Sequence, residues 1–128
     1  METKTDDSSN VPPLALNQEA QFISSWKIMQ EQAYRITKSK GWCERERTDA
    51  ELLCLVHSEV SEAVEALRHG NGPSDHIPEF SGMEEELADV VIRIMSMAGE
   101  KGWQVALALA EKMNFNRTRP KMHGGKLF

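Results

Sequence analysis

The sequence predicts an all-α protein, most simply a four-helix bundle-like domain. Four segments place apolar residues three and four positions apart, which is the spacing of one face of a helix. Stretches rich in Gly, Pro, Asn and Ser separate these segments and are typical of loops. No useful run alternates apolar and polar residues, and no Asn-Gly turn lies between two such runs, so a strand signal is missing.

The first two predicted helices have recognisable ends. The first covers about residues 17–40, with Asn17 as a candidate N-cap and Gly41 as its C-terminal stop. The second covers about residues 48–69, and Thr48 with Glu51 has the spacing of a capping box. Apolar residues of the second helix span about 120°, the width of a core-facing stripe. They are Leu52, Leu53, Val56, Val60, Ala63, Val64 and Leu67.

A loop with three glycines and two prolines, residues 69–82, precedes the third predicted helix. That helix covers about residues 83–101 and is followed by Gly102, and the fourth covers about residues 104–114. Pro120 prevents further helix. The residues expected to face inward from the third helix are Leu87, Val90, Val91, Ile94 and Ala98.

The chain is long enough for one domain, which we expect to span residues 14–128. Residues 1–13 combine Asp, Ser and Asn with Pro12 and Pro13 and lack apolar periodicity, so they are predicted to form a disordered arm. The chain contains two cysteines, Cys43 and Cys54. Two widely spaced cysteines suit neither a zinc knuckle nor a disulfide framework, and reduced structural thiols are expected.

Charge is distributed unevenly along the 128 residues, which carry 15 Lys+Arg and 20 Asp+Glu for a formal net charge of -5. Residues 1–111 have a net charge of -10, whereas the remaining residues form a basic C-terminal tail of +5. An acidic body argues against binding of a nucleic acid polymer, because that requires a basic face. A local site for a small anion remains compatible with this pattern.

Neither a membrane span nor a secretion signal is indicated. No apolar run approaches the roughly 18–20 residues that cross a bilayer. The first residues lack the basic start and apolar core of a secretion signal. We therefore expect a cytoplasmic protein without a membrane partner.

Two acidic pairs are the main candidates for chemistry: Glu59 with Glu62, and Glu86 with Asp89. Each pair is spaced three residues apart and so occupies one side of its helix, with Arg93 beside the second pair. If the two flanks meet, four carboxylates share one cleft, where hard divalent cations such as Mg²⁺ relieve their repulsion. Two such metals suit in-line attack at phosphorus. The alternative is that each pair is merely a solvated helix face.

Three stretches carry a family resemblance: HSEVSEAVEALRHG, EEELADVVIRI and EKMNFNRTRPKMHGGK. Together they resemble the MazG-like branch of the all-α nucleoside triphosphate pyrophosphohydrolases, over about residues 22–126. The resemblance implies that Glu59, Glu62, Glu86 and Asp89 bind Mg²⁺, with Mn²⁺ as a substitute. It also implies cleavage of a (deoxy)nucleoside triphosphate to the monophosphate and pyrophosphate. Either Glu59 or Glu62 is expected to orient the attacking water.

Candidate substrate-binding residues lie elsewhere in the sequence. Lys112, Asn116 and Arg119 follow a K-x-x-x-N-x-x-R spacing that resembles the phosphate-contacting end of the family. The alternative for these residues is a basic terminus that balances an acidic body. Trp42, in the turn beside Gly41, is a candidate to stack on the base, with packing as its alternative role.

Two other classes of protein are alternatives. A ferritin-like di-iron bundle requires Glu-x-x-His on two helices, and Glu59, Glu62 and Glu86 lack a histidine three residues on. A non-catalytic helical-bundle interaction or nucleotide-sensing protein would need no Mg²⁺. Because the resembled family assembles dimers or tetramers, we expect a homodimer or homotetramer.

Overall fold

The structure is a computed structural model that describes residues 11–120. It contains four helices: α1 (Leu16–Ser39), α2 (Asp49–Arg68), α3 (Gly82–Lys101) and α4 (Val105–Arg117). Residues 11–120 form no strand, and their one isolated β-bridge joins Pro73 to Ser81. The predicted all-α, four-helix class is therefore confirmed.

The ends of α1 and α4 differ from the prediction. α1 begins at Leu16, so the predicted N-cap Asn17 lies inside its first turn. The Gln18 side chain instead returns to this end and accepts a hydrogen bond from the Ala15 amide at 3.2 Å. Gly41, with φ +83°, follows the end of α1 as expected. α4 continues to Arg117 rather than ending near residue 114, because nothing before Pro120 interrupts it.

Capping boxes begin α2 and α3. Thr48 accepts a hydrogen bond from the Glu51 amide at 3.2 Å, and the Glu51 carboxylate accepts one from the Thr48 amide at 2.8 Å. This confirms the predicted box. Ser81 and Glu84 form a second, unpredicted box with the same reciprocal bonds.

The chain divides into two compact units. Within the described range, one unit comprises residues 27–103, and the other comprises residues 11–26 with 104–120. The predicted extent of a single domain, residues 14–128, stays a prediction. Most of the predicted arm and the tail residues Lys121, His123 and Lys126 lie outside the described residues.

α2 and α3 pack against each other as an antiparallel pair. The start of α3 approaches the end of α2, where a Cβ on Gly82 would lie 3.3 Å from Cβ of Ala66. At the opposite end, Lys101 Nζ lies 3.4 Å from Oδ1 of Asp49. This arrangement sets the middle of α2 opposite the middle of α3, where the predicted acidic residues lie.

The C-terminal half of α1 lies against the C-terminal half of α3. Thr37 Oγ1 and Ser96 Oγ are hydrogen-bonded at 2.9 Å. A Cβ on Gly99 would lie only 2.8 Å from Cβ of Tyr34, so glycine permits this close approach. These contacts hold the C-terminal half of α1 beside the acidic helix pair.

The predicted core-facing stripe of α2 is largely exposed, which corrects the sequence-based expectation. Ala63 is buried, but Leu53 and Val64 are each 49% exposed, and Val60 and Leu67 are also exposed. On α3, Ala98 is buried whereas Leu87 and Val91 are exposed. The reason is that α3 covers only the edge of the stripe beside Glu59 and leaves the rest of the apolar arc exposed.

No helix within residues 11–120 has the length and apolar content that crossing a membrane would require.

Candidate metal centre

Three of the four predicted metal ligands converge between α2 and α3. Glu59 and Glu62 project from α2, and Glu86 projects from α3. One carboxylate oxygen from each lies within 4.8 Å of one from both others. The two three-residue spacings place each pair on one side of its helix, and the antiparallel packing brings those sides together. The expected meeting of the acidic flanks is thus observed for three carboxylates.

Glu86 is the most perturbed member of the cluster. Burial, followed by contact with Glu62 and Glu59, raises its pKa to about 7. Its Oε2 atom is buried and has no hydrogen-bond donor among the described residues, since its carboxylate neighbours donate none when ionised. A shared proton or a cation would satisfy this oxygen. Oε2 of Glu86 is therefore a buried atom of the cluster that lacks a positively charged partner among the described residues.

Asp89 lies within electrostatic reach of the cluster but outside the group of three converging oxygens. Burial raises its pKa, and the negative charges of Glu59, Glu85 and Glu62 raise it further. The fourth predicted ligand thus adds charge to the same region.

Arg93 provides a cation at the edge of the cluster. Its Nε donates to Oε1 of Glu59, and the two side chains are 28% and 9% exposed respectively. Sequence placed Arg93 beside Asp89 but did not predict its pairing with Glu59, because that contact joins two helices. The sequence feature that pointed to Arg93 was its position four residues after Asp89, on the same side of α3.

Glu85, next to Glu86 in sequence, is held by the loop between α2 and α3. It accepts a hydrogen bond from the buried Ser74 hydroxyl and contacts Nδ1 of His76 at 2.5 Å. The bond from Ser74, then that from His76, lowers the pKa of Glu85. The Glu85 carboxylate therefore bonds to loop residues rather than to the cluster. No sequence pattern indicated this network, because it depends on how the loop returns to α3.

A cavity of about 290 Å³ adjoins the cluster, and its lining includes Trp42, Arg93, Glu59 and Asp89. Trp42 is 48% exposed. Its ring centroid lies 5.5 Å from Cζ of Arg93 and 5.6 Å from Cζ of Arg47, within the range of cation–π contacts. The predicted base-stacking residue therefore shares a cavity with two predicted metal ligands. Arg47, which also donates to the Trp42 carbonyl, was not predicted.

The remaining predicted substrate residues belong to the other unit. Lys112 and Asn116 lie on α4, and Arg119 follows it. Lys112 Nζ and Arg119 Cζ lie 4.6 and 5.6 Å from the ring centroid of Phe115. Asn116 and Arg119 also line a cavity of about 1030 Å³ within this unit. The structure places Lys112 and Arg119 beside the Phe115 ring. The predicted contact of Lys112, Asn116 and Arg119 with a triphosphate stays a prediction.

The donor set suits a hard divalent cation. Carboxylate oxygens are the ligands that Mg²⁺ and Ca²⁺ prefer, and Mg²⁺ completes its coordination with water and substrate phosphates. The orphaned oxygen of Glu86 supplies a specific place for such an ion. Carboxylate oxygens also suit Mn²⁺.

No protein-family model matches this chain, and neither does any curated protein or solved structure. Fold and site together define an all-α protein with a candidate carboxylate metal centre.

Proposed function

We propose that the protein is a Mg²⁺-dependent nucleotide pyrophosphohydrolase of the MazG-like type. It would cleave (deoxy)nucleoside triphosphates to the monophosphate and pyrophosphate, and so remove non-canonical or surplus deoxynucleotides. The observation that carries the proposal is the convergence of Glu59, Glu62 and Glu86 around an unsatisfied buried oxygen. These are residues that the E-x-x-E and E-x-x-D pattern selects.

In this proposal, Glu59, Glu62, Glu86 and Asp89 hold the metal, which supplies charge neutralisation and a more acidic water. Glu86 must release its shared proton to act as a ligand, because a protonated carboxyl is a poor donor to a cation. Glu59 or Glu62 orients the water and accepts its proton as that water attacks the α-phosphorus. Both residues come from one turn of α2, which keeps either role geometrically available.

The substrate would lie with its base against Trp42 and its phosphates towards the carboxylates. The shared cavity supports this orientation, because Trp42 and Glu59 are on the same lining. Lys112, Asn116 and Arg119 are proposed to contact the triphosphate, with Arg119 able to grip two oxygens at once.

We further propose a cytoplasmic homodimer or homotetramer that acts on small nucleotides rather than on nucleic acid polymers or membranes. Support for self-association comes from the exposed apolar arc of α2, which includes Leu53, Val60, Val64 and Leu67. No large side chain among the described residues is fully buried, so the described chain leaves much of its apolar surface uncovered.

The test is incubation of the protein with a panel of canonical and modified nucleoside triphosphates and Mg²⁺, with detection of pyrophosphate. We expect release from at least one substrate, and its loss in a variant combining E59Q, E62Q, E86Q and D89N. Inactivity on every substrate, or activity in that variant, would contradict the proposal. The alternative, a nucleotide-sensing or interaction protein, predicts binding without turnover and unchanged function after Glu62→Gln.

A further inference from the structure

Arg93 connects the acidic cluster to the Trp42 cavity. Its Nε donates to Glu59 Oε1, and its guanidinium carbon lies 5.5 Å from the Trp42 ring centroid. The Glu59 side chain is only 9% exposed and that of Arg93 only 28%. One cation is therefore shared between a predicted metal ligand and a predicted base-stacking residue.

The carboxylate to which Arg93 donates, that of Glu59, belongs to the converging cluster. A divalent cation held by Glu59 competes with Arg93 for the negative charge of this carboxylate. Such a cation also repels the nearby guanidinium, and partial burial limits how far solvent weakens that repulsion. Full pairing with Arg93 and full coordination of a metal are thus opposed at Glu59.

A guanidinium released from Glu59 does not need to leave the cavity. Arg93 already lines it, and the guanidinium presents several donors in a planar fork that matches phosphate oxygens. The same cavity holds the Trp42 ring, so a phosphate bound by Arg93 would lie between the carboxylates and the aromatic side chain.

We propose that Arg93 is an exchangeable counter-ion of the metal centre. In the metal-free protein it neutralises Glu59; when a divalent cation binds, its guanidinium leaves Glu59 and binds a phosphate group in the Trp42 cavity. The inference rests on the proposed function, since it assumes that the carboxylates hold metal. It assigns to Arg93 a phosphate-binding role that the sequence pattern did not.

Calorimetric titration with Mg²⁺ tests the competition. We expect Arg93→Met to bind Mg²⁺ about five- to tenfold more tightly than the wild type, because the competing cation is gone, with Arg93→Lys intermediate. Arg47→Met is the matched control, since Arg47 contacts the same ring but has no bond to Glu59. Weaker Mg²⁺ binding in Arg93→Met, or equal tightening in Arg47→Met, would overturn the competition.

Tryptophan fluorescence reports the movement. Addition of Mg²⁺ should change the emission of the wild type, and that change should be absent from Arg93→Met and from Trp42→Phe. An equal change in Arg93→Met would show that the guanidinium is not responsible. Because Arg93→Lys keeps a cation beside Glu59, it provides a second variant if removal of the charge unfolds the metal-free protein.

Inorganic phosphate, added at saturating Mg²⁺, tests the second half of the proposal. We expect about tenfold weaker phosphate binding in Arg93→Met than in the wild type, and unchanged binding would overturn the phosphate role. These readouts do not require turnover. Loss of Mg²⁺ binding in Glu86→Gln with no effect of Arg93 variants would leave the proposed function standing and reject only this inference.

Discussion

Glu62 on α2 lies against Glu86 on α3, and this contact adds to burial in raising the pKa of Glu86 to about 7. The usual pKa of a glutamate is 4.5. At a pH between these two pKa values, Glu86 is protonated in the folded protein and ionised in the unfolded chain. Ionisation of Glu86 therefore opposes folding, and the free energy of unfolding of the metal-free protein falls as pH rises.

We expect the free energy of unfolding of the metal-free protein to fall as pH rises from about 4.5 to about 7, by on the order of 1–3 kcal/mol from this group. Urea unfolding across this pH range, in the presence of a chelator, measures the effect. Glu86→Gln should flatten the pH dependence, because glutamine does not ionise. An unchanged slope in this variant would show that Glu86 does not titrate as described.

The capping boxes should contribute measurably to stability. Replacing Thr48 or Ser81 with alanine removes a side-chain acceptor for a helix amide, and each change should cost about 1 kcal/mol. Ser58→Ala is the control, because the exposed Ser58 hydroxyl donates to the Leu55 carbonyl within α2 and caps no helix amide. Urea denaturation should rank the three variants, and equal losses in all of them would contradict the assignment.

The contact between α1 and α3 should tolerate no side chain at Gly99. Alanine there would place Cβ 2.8 Å from Tyr34 Cβ and 3.3 Å from the Gln30 carbonyl oxygen. We expect Gly99→Ala to lower the free energy of unfolding by about 1–3 kcal/mol despite its better helix propensity. Gly72→Ala, whose Cβ would meet no described atom within 4 Å apart from its chain neighbours, should have little effect. Equal stability of both variants would mean that the helices separate readily.

The exposed arc of α2 should mediate self-association. Val64→Glu places a charge in this arc, whereas Ser61→Glu places one at an exposed position outside it. Sedimentation velocity should show a dimer or tetramer for the wild type and Ser61→Glu, and a monomer for Val64→Glu. A monomeric wild type, or an unchanged oligomer in Val64→Glu, would contradict the proposed assembly.

Local sequence rules predicted those features that depend on neighbouring residues. The four helices, the box at Thr48 and the stop at Gly41 follow from spacing and capping. The side of α2 that faces α3 did not follow, because a broad apolar stripe does not specify its neighbour. The pairing of Arg93 with Glu59 was likewise not predictable from the sequence, because it depends on the register between two helices.

The central claim is that these carboxylates form a divalent metal centre, and calorimetric titration with Mg²⁺ at neutral pH or above tests it most directly. The wild type should bind Mg²⁺ with saturation. Glu86→Gln should weaken binding at least about tenfold, because it removes a charged ligand whose oxygen has no other partner among the described residues. Glu65→Gln, a change at an exposed position of α2 outside the cluster, should bind as the wild type does. No saturable binding by the wild type, or wild-type affinity in Glu86→Gln, would contradict the account.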